Sequence, residues 1–181
     1  MHTAMILFLS VRAGAEIVDN GRFTSDTVTN LDWLDLTETR GLSYSYVSSQ
    51  LASDGQFAGW VYATRQQVND LLINAGIFKK IKMSPNPEAV TNLLNLWGVL
   101  NLRRDKELGD GSRFFYGSAF SSDILKIKNN RAYVGSIGKV GKVGNERGLI
   151  ILNVVQTSHS VNETNERIGS ALVRKSINLK Q

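Results

Sequence analysis

The chain of 181 residues contains no cysteine and only two histidines, His2 and His159. Without cysteine it has no disulfide, no thiolate nucleophile and no thiolate metal site. Two histidines cannot form an imidazole cluster, so we expect neither a metal nor a cofactor. A catalytic triad would need His159, which lies in a polar stretch without a nucleophile elbow, and an exposed, idle histidine is the favoured interpretation. The sequence therefore predicts a protein that is not an enzyme.

Long apolar runs and dense basic clusters are also missing. Beyond the first residues no stretch is long and apolar enough to span a membrane. The net charge of +5 favours anionic partners, among which acidic polysaccharide, nucleic acid and phospholipid are alternatives. The basic residues form no long run and match no common nucleic-acid motif, so we expect no nucleic-acid partner. Hydrophobic residues make up 42% of the chain, which is enough for one globular domain with a real core.

The first fifteen residues resemble a short secretory signal. An apolar run over residues 4–11 is followed by the small residues Ala13, Gly14 and Ala15. A buried first strand is the alternative, since runs of this length also form core strands. We expect cleavage after Ala15 and a single domain over residues 16–181, located outside the cell, on its surface or in the periplasm.

Capping residues mark three helices in the first half of the chain. Ser43 is a credible N-cap, Thr64 and Gln67 form a capping box, and Asn86 precedes Pro87 at the start of the third helix. The predicted apolar stripes are Val47 and Leu51, then Val68, Leu71, Leu72 and Ala75, and finally Val90, Leu93, Leu94 and Trp97. Glycines end the second and third helices, at Gly76 and Gly98.

Strand signals flank these helices on both sides. Asn20-Gly21 predicts a hairpin turn between Ile17-Val18 and Phe23, and residues 27–29 and 31–34 suggest further strand. After residue 110, β-branched and aromatic residues dominate the stretches 113–120, 123–137, 147–156 and 168–176. Asn129-Asn130 suggests a turn that pairs residues 124–128 with 132–137. This order predicts an α+β fold, with helices mainly in the first half and antiparallel strands in the second.

Two glycine-rich or polar stretches are predicted as loops. Residues 138–144, with the sequence GKVGKVG, lack the Gly-Lys-Ser/Thr ending of a phosphate loop, so an exposed mobile loop is favoured over a nucleotide site. Residues 157–167 form a second polar loop. We expect partner contacts on the first loop, through Lys139, Lys142 and Arg147, with Arg113 and Tyr116 nearby.

Acidic residues occur in two groups that resemble neither an EF-hand nor another metal loop. The groups are Asp26, Asp32, Asp35 and Glu38, and then Asp105, Glu107 and Asp110. Solvated turn carboxylates are the favoured interpretation, over calcium ligands or the carboxylate pair of a glycosidase.

The three tryptophans have different expected roles. Trp97 lies on an apolar helical stripe and Trp33 on a predicted strand, so both should be buried. Trp60 just precedes the capped second helix, where burial is favoured over a role as a platform for a sugar ring.

One segment resembles a known class of bacterial proteins. The sequence LDWLDLTETRGLSYSYVSSQL at residues 31–51, followed by GWVYATRQQVNDLL at residues 59–72, is similar to exported proteins that carry a PEP-CTERM sorting signal. It also looks like a distant relative of the C-terminal domain of bacterial collagen-like adhesins, which implies a C-type-lectin-like fold. The match covers residues 17–77, and the closing 168–176 only loosely.

Two departures limit what this resemblance implies. The chain ends in NLKQ without a Pro-Glu-Pro sorting tail, so we expect no anchoring of that kind. The calcium–sugar motifs of true C-type lectins are absent as well, so calcium-dependent sugar binding does not carry over.

These observations combine into one functional hypothesis and one alternative. We expect a secreted or cell-surface, non-enzymatic module that binds acidic polysaccharide or another surface polymer. Self-assembly into a filament, sheath or matrix is the alternative, because apolar strands such as GLIILNVV offer edges that pair between chains. Trp60 is the second candidate contact if the cationic residues do not bind.

Overall fold

The computed structural model describes residues 16–77, 83–84, 86–98, 101–104, 113–120, 131–142, 145–151 and 158–177. Side chains are described for residues 16–77, 86–98, 119–120 and 159–177. The first-half strands are β1 (Ile17–Asp19), β2 (Phe23–Asp26), β3 (Leu31–Leu34) and β4 (Val61–Tyr62), and the helices are α1 (Tyr44–Ser49), α2 (Arg65–Asn74) and α3 (Pro87–Trp97). The later strands are β5 (Met83–Ser84), β6 (Asn101–Arg104), β7 (Arg113–Phe120), β8 (Arg131–Lys142), β9 (Asn145–Ile151), β10 (Ser158–Ser160), β11 (Gly169–Ser170) and β12 (Leu172–Lys175).

All three predicted helix starts are confirmed by their caps. The Ser43 side chain accepts a hydrogen bond from the Tyr46 amide, and Thr64 and Gln67 form the reciprocal capping box. The Asn86 side chain accepts from the Ala89 amide at 3.0 Å. These side chains satisfy amides that the first helical turn leaves without partners, so the helix starts are fixed by local sequence. Both predicted glycine stops are confirmed too, because Gly76 and Gly98 have φ values of 77° and 80°.

A five-stranded sheet with the order β1-β2-β3-β12-β4 joins the beginning of the chain to its end. Every pairing in this sheet is antiparallel. The predicted hairpin is confirmed, since β1 and β2 pair across Asn20 and Gly21, and Gly21 has a φ of 85°. Residues 27–30 form a turn between β2 and β3, so the prediction of a strand at 27–29 is wrong. Asp26 stabilises that turn by accepting from the Val28 and Thr29 amides.

Each face of this sheet carries one hydrophobic cluster. The first cluster contains Trp33 and Val173 from the sheet together with the buried sides of α2 and α3. The predicted stripe residues Leu71, Leu72, Val90, Leu93, Leu94 and Trp97 are all at most 3% exposed, which confirms that part of the helix prediction. The second cluster lies around Leu34, Val47, Trp60, Tyr62 and Leu172. The sheet is therefore covered on both sides.

Residues 31–51 form a strand, a 3-10 turn and the short helix α1. Trp33 on β3 is fully buried and meets Trp97 edge to face, with ring centroids 5.5 Å apart. A single 3-10 turn over Leu36–Thr39 follows, and Gly41, at a φ of 77°, turns the chain into the cap of α1. Glu166 lies so close to Gly41 that a Cβ there would lie 2.6 Å from its Oε1.

The second half of the described chain is mainly strand, as predicted. β7, β8 and β9 form an antiparallel meander, which β5 extends at one edge, while β6 and β11 both pair with β7 on its other side. The β11–β7 pairing is parallel. The fold is thus mixed α+β with all three helices before residue 98, in agreement with the predicted class and order.

The predicted glycine-rich loop is wrong over most of its length. Residues 138–142 belong to β8 and pair with β7 on one side and β9 on the other. Glycine is tolerated in such a strand, although it weakens it, because backbone pairing does not require a side chain. Residues 158–160 of the predicted polar loop also form a strand, β10, which pairs with the start of β8.

Several predictions fall on residues outside the described part of the chain. These are the signal over residues 1–15, the strand at 124–128 with its turn at 129–130, and the acidic group at 105–110. Among the described residues, none of the helices combines the length and the apolar character that crossing a membrane would require.

Candidate functional site

A polar row crosses one face of the five-stranded sheet. Ser25 on β2 pairs directly with Asp32 on β3, and Asp32 pairs with Arg174 on β12. Directly paired residues of antiparallel strands lie on the same face, so these three side chains are neighbours. Trp60 immediately precedes β4 and continues the row beside Arg174. The sheet register thus assembles a site from residues that are far apart in sequence.

Asp32 is the centre of this row. Its Oδ1 accepts hydrogen bonds from Ser25 Oγ at 2.7 Å and Ser176 Oγ at 2.6 Å. Its Oδ2 accepts from Arg174 Nε at 3.1 Å. Asn20 supports Ser25 through a hydrogen bond of 2.9 Å from its side-chain amide. A carboxylate with only 5% of its side chain exposed is therefore held by three donors, one of them charged.

The charge of Asp32 is stabilised despite its burial. Burial alone raises the pKa of a carboxyl group, because it disfavours the charged form. Here the hydrogen bonds from Ser176, Ser25 and Arg174, with the positive charge of Arg174, outweigh burial and lower the pKa of Asp32 below 3.8. Asp32 is consequently an ionised hydrogen-bond acceptor at neutral pH and not a proton donor.

Two aromatic rings hold the guanidinium of Arg174. Its central carbon lies 4.4 Å from the ring centroid of Trp60 and 4.8 Å from that of Phe23. The two rings themselves meet edge to face. Planar guanidinium groups stack favourably on aromatic faces, so the position of Arg174 is fixed by Asp32 and by both rings. Trp60 is only 8% exposed, which confirms the predicted burial.

The polar row opens into a cleft of about 300 Å³. The cleft is lined by Asn20, Phe23, Ser25, Thr27, Asn30, Asp32, Arg174, Ser176 and Ile177. Asp32 and Arg174 are its charged residues, and they form an ion pair with each other. Most other lining groups are amides or hydroxyls, which bind the hydroxyls and ring oxygens of polar ligands. We call this the Asp32–Arg174 cleft.

Within the described residues, the chain has no group of three or more histidine or acidic side chains that could hold a metal ion. In the Asp32–Arg174 cleft, Asp32 is the one lining carboxylate, so the pair of carboxyl groups that glycoside hydrolysis requires is not assembled there.

The first acidic group is not a set of solvated turn carboxylates, and that prediction is wrong. Asp26, Asp32 and Asp35 are at most 7% exposed. Asp26 accepts from the Asn74 side chain at 2.8 Å, which ties the β2–β3 turn to the end of α2. Asp26 closes a turn and Asp32 makes cross-strand contacts, roles that sequence spacing does not reveal.

Asp35 differs from its neighbours because it is buried with little compensation. Within the described residues its one side-chain hydrogen bond, from Thr24 Oγ1, is long at 3.5 Å. Burial, together with the negative charges of Asp19 and Glu38, raises the pKa of Asp35 to about 6. Glu38 itself pairs with Arg22. The folded protein therefore destabilises the charged form of Asp35.

The predicted cationic contacts are divided by the strand register. Lys139 pairs with Phe115, and alternation along β7 then places Arg113 on the same face as Lys139. Lys142 and Arg147 belong to the other face, because Val140, two residues before Lys142, pairs with Arg147. Tyr116 pairs with Gly138 and shares that second face. These five residues therefore do not form one flexible cluster, although their binding role stays a prediction.

His159 is neither exposed nor without a partner, contrary to the prediction. Its Nδ1 lies 2.8 Å from Glu163 Oε1, and its ring packs edge-on against Phe120. Only 23% of its side chain is exposed. The residue fastens the 160–163 turn to the second hydrophobic cluster.

Comparison of the chain with protein-family models, with curated proteins and with solved structures finds no match.

No sequence motif marks the residues of the Asp32–Arg174 cleft. Ser25, Asp32 and Ser176 occur as ordinary polar residues within or beside short strands, and Arg174 follows two buried apolar residues on β12. The one available signal is at Asp32, which is a polar residue between the apolar Leu31 and Trp33 on β3. That signal does not identify which strands pair.

Proposed function

We propose that this protein is a non-enzymatic secreted or cell-surface module that binds extracellular polysaccharide in the Asp32–Arg174 cleft. The observation that carries the proposal is a cleft in which the side chains of Ser25, Ser176 and Arg174 are held in place by the carboxylate of Asp32. Such preorganisation lowers the conformational entropy that the protein loses on binding. Binding of a flexible polymer is then favoured even though each of its contacts is weak. The net charge of +5 makes acidic polymers the favoured class.

A C-type-lectin-like framework is part of the same proposal. The Trp33 strand, α1 and the capped α2 follow one another in the order that the resemblance implies. The last strand, β12, lies between strands of the first half, so the N-terminal and C-terminal parts share one sheet. Export in the manner of PEP-CTERM proteins would place the cleft in contact with extracellular polymers.

Binding is tested with the full chain on glycan arrays that include acidic polymers, and then by titration calorimetry. We expect binding to at least one polymer, weakened by added salt because exposed charges are screened beyond about 8 Å at physiological ionic strength. No binding to any polymer at high protein concentration would contradict the proposal. A chain that begins at Glu16 in the culture medium would support export, and an intact chain confined to the cytosol would contradict it.

The other predicted contact is tested in the same assay. A variant with alanine at Lys139, Lys142 and Arg147 removes three cations and keeps every residue that lines the Asp32–Arg174 cleft. If this variant loses binding while a variant with a changed residue in the Asp32–Arg174 cleft retains it, the binding site lies on the sheet that contains β8 and β9.

Self-assembly is the second candidate function. Within the described residues, the five-stranded sheet ends at β1 and β4 without a further strand beyond either. Open sheet edges pair with strands from other molecules when nothing covers them. Light scattering and electron microscopy check this candidate, and a strict monomer at all concentrations would exclude it.

A further inference from the structure

The donors of Arg174 are only partly used inside the protein. Its Nε donates to Asp32, and within the described part of the chain its two terminal amino groups make no hydrogen bond. The side chain is 31% exposed and lines the Asp32–Arg174 cleft. A guanidinium group has five N–H donors, so four of those of Arg174 have no partner within the described residues.

Asp32, in contrast, has little capacity left to accept hydrogen bonds from a ligand. Its two oxygens already accept three hydrogen bonds, and only 5% of its side chain is exposed. The charged group that a ligand meets in the cleft is therefore the donor Arg174, not the acceptor Asp32. A ligand that fits must bring acceptors to this position.

The geometry of Arg174 selects among acceptors. The Nε contact to Asp32 leaves the opposite edge of the guanidinium, where the two terminal amino groups present parallel N–H donors. Two oxygens on one atom, as in a carboxylate or a sulfate ester, match that edge with two parallel hydrogen bonds. Trp60 and Phe23 hold the group in position, so little conformational entropy is lost when such a pair of hydrogen bonds forms.

We propose that Arg174 binds the oxyanion substituent of an acidic saccharide, a carboxylate or a sulfate ester, through its two terminal amino groups. This assignment rests on the proposed function, because it names the chemical group that the same cleft recognises. The amides and hydroxyls of Asn20, Thr27 and Asn30 line the cleft beside Arg174 and are suited to the neutral part of the sugar.

Matched ligands distinguish the contribution of the oxyanion to binding from that of the rest of the sugar. Binding of the full chain is measured by titration calorimetry with a galacturonate oligosaccharide, with its methyl ester, and with a sulfated galactose oligosaccharide of equal length. The ester keeps the size and hydroxyls but removes the charge. We expect the acid or the sulfated sugar to bind at least ten times more tightly than the ester, and the better of the two identifies the substituent.

Matched variants distinguish specific hydrogen bonding by Arg174 from a general effect of positive charge. Arg174→Lys keeps the charge but loses the parallel donors, so the preference for the charged sugar should fall to within about twofold. Lys175→Ala removes an exposed charge from the neighbouring residue, on the other face of the strand, and should retain the preference. Circular dichroism checks that each variant is folded, and the wild-type comparison of acid with ester stands even if Arg174→Lys does not fold.

The possible failures are distinct. Equal binding of the charged sugars and the ester overturns the assignment of Arg174 while leaving polysaccharide binding intact. A loss of the preference in Lys175→Ala, with the preference retained in Arg174→Lys, also overturns it, because the effect is then general charge. No binding of any of the three sugars, with an empty glycan array, overturns the proposed function and this inference together.

Discussion

Replacing Asp35 with asparagine should make the protein more stable at neutral pH. Asp35 is 7% exposed, lies near the negative charges of Asp19 and Glu38, and has one long hydrogen bond from Thr24. Asparagine has nearly the same shape and keeps an acceptor for Thr24, but it carries no charge to bury. The substitution therefore removes the free-energy cost of burying a negative charge and opens no cavity.

The size of this effect follows from proton linkage. The pKa of Asp35 is about 6 in the folded protein, against 3.8 for the free side chain. A difference of roughly two units, at 1.36 kcal/mol each, corresponds to a penalty of at most about 3 kcal/mol. Below pH 3.8 the carboxyl group is protonated in both states and there is no penalty. In the wild-type protein the penalty lowers the free energy of unfolding progressively as the pH rises from about 4 to about 6. Above that pH the penalty is constant.

Urea unfolding followed by tryptophan fluorescence measures this prediction at several pH values. At pH 7 to 8 the free energy of unfolding of Asp35→Asn should exceed that of the wild type by about 1–3 kcal/mol. The difference should shrink through pH 6 to 4 and vanish below pH 4. A variant that is less stable than the wild type at pH 7, or a difference that does not change with pH, would refute the reasoning.

Two further substitutions test the neighbouring interactions. Asp32→Asn should destabilise the protein, because the folded state lowers the pKa of Asp32 and so stabilises its charged form. The free energy of unfolding should fall by about 1.5–3 kcal/mol at pH 7, and this loss should become smaller as the pH falls below 4. Unchanged stability of Asp32→Asn at pH 7 would contradict the network of three donors. Thr64→Ala should cost about 1 kcal/mol by removing the cap of α2, whereas Thr64→Ser should cost much less. Thermal or urea unfolding compares the two Thr64 variants, and equal losses would mean that the hydroxyl does not act as the cap.

Local elements of the fold were predictable from sequence because their causes lie within a few residues. The caps of α1, α2 and α3 each involve a side chain and an amide three residues away. The Asn20-Gly21 turn likewise depends on its own dipeptide, since Gly21 adopts a positive φ at little cost. Burial of Trp33 and Trp97 follows from their apolar neighbours.

Predictions failed where the partner of a residue is distant in sequence. Residues 138–142 looked like a loop because glycine is usually found in turns, yet pairing with β7 and β9 on both sides makes them a central strand. The acidic side chains looked solvated because charge usually remains exposed. Asp26 is buried because Asn74, 48 residues away, supplies a donor.

The sequence by itself determined the α+β class, the helix boundaries and the apolar stripes, since these depend on side-chain periodicity and on short-range hydrogen bonds. Only the tertiary structure decided the Asp32–Arg174 cleft. Asp32 and Arg174 are separated by 142 residues and meet because β12 pairs with β3 in one particular register. A shift of that register by one residue would move Arg174 to the opposite face, away from Asp32, Trp60 and Phe23. The site is a property of strand pairing, and strand pairing is set by the packing of the whole sheet between its two hydrophobic clusters.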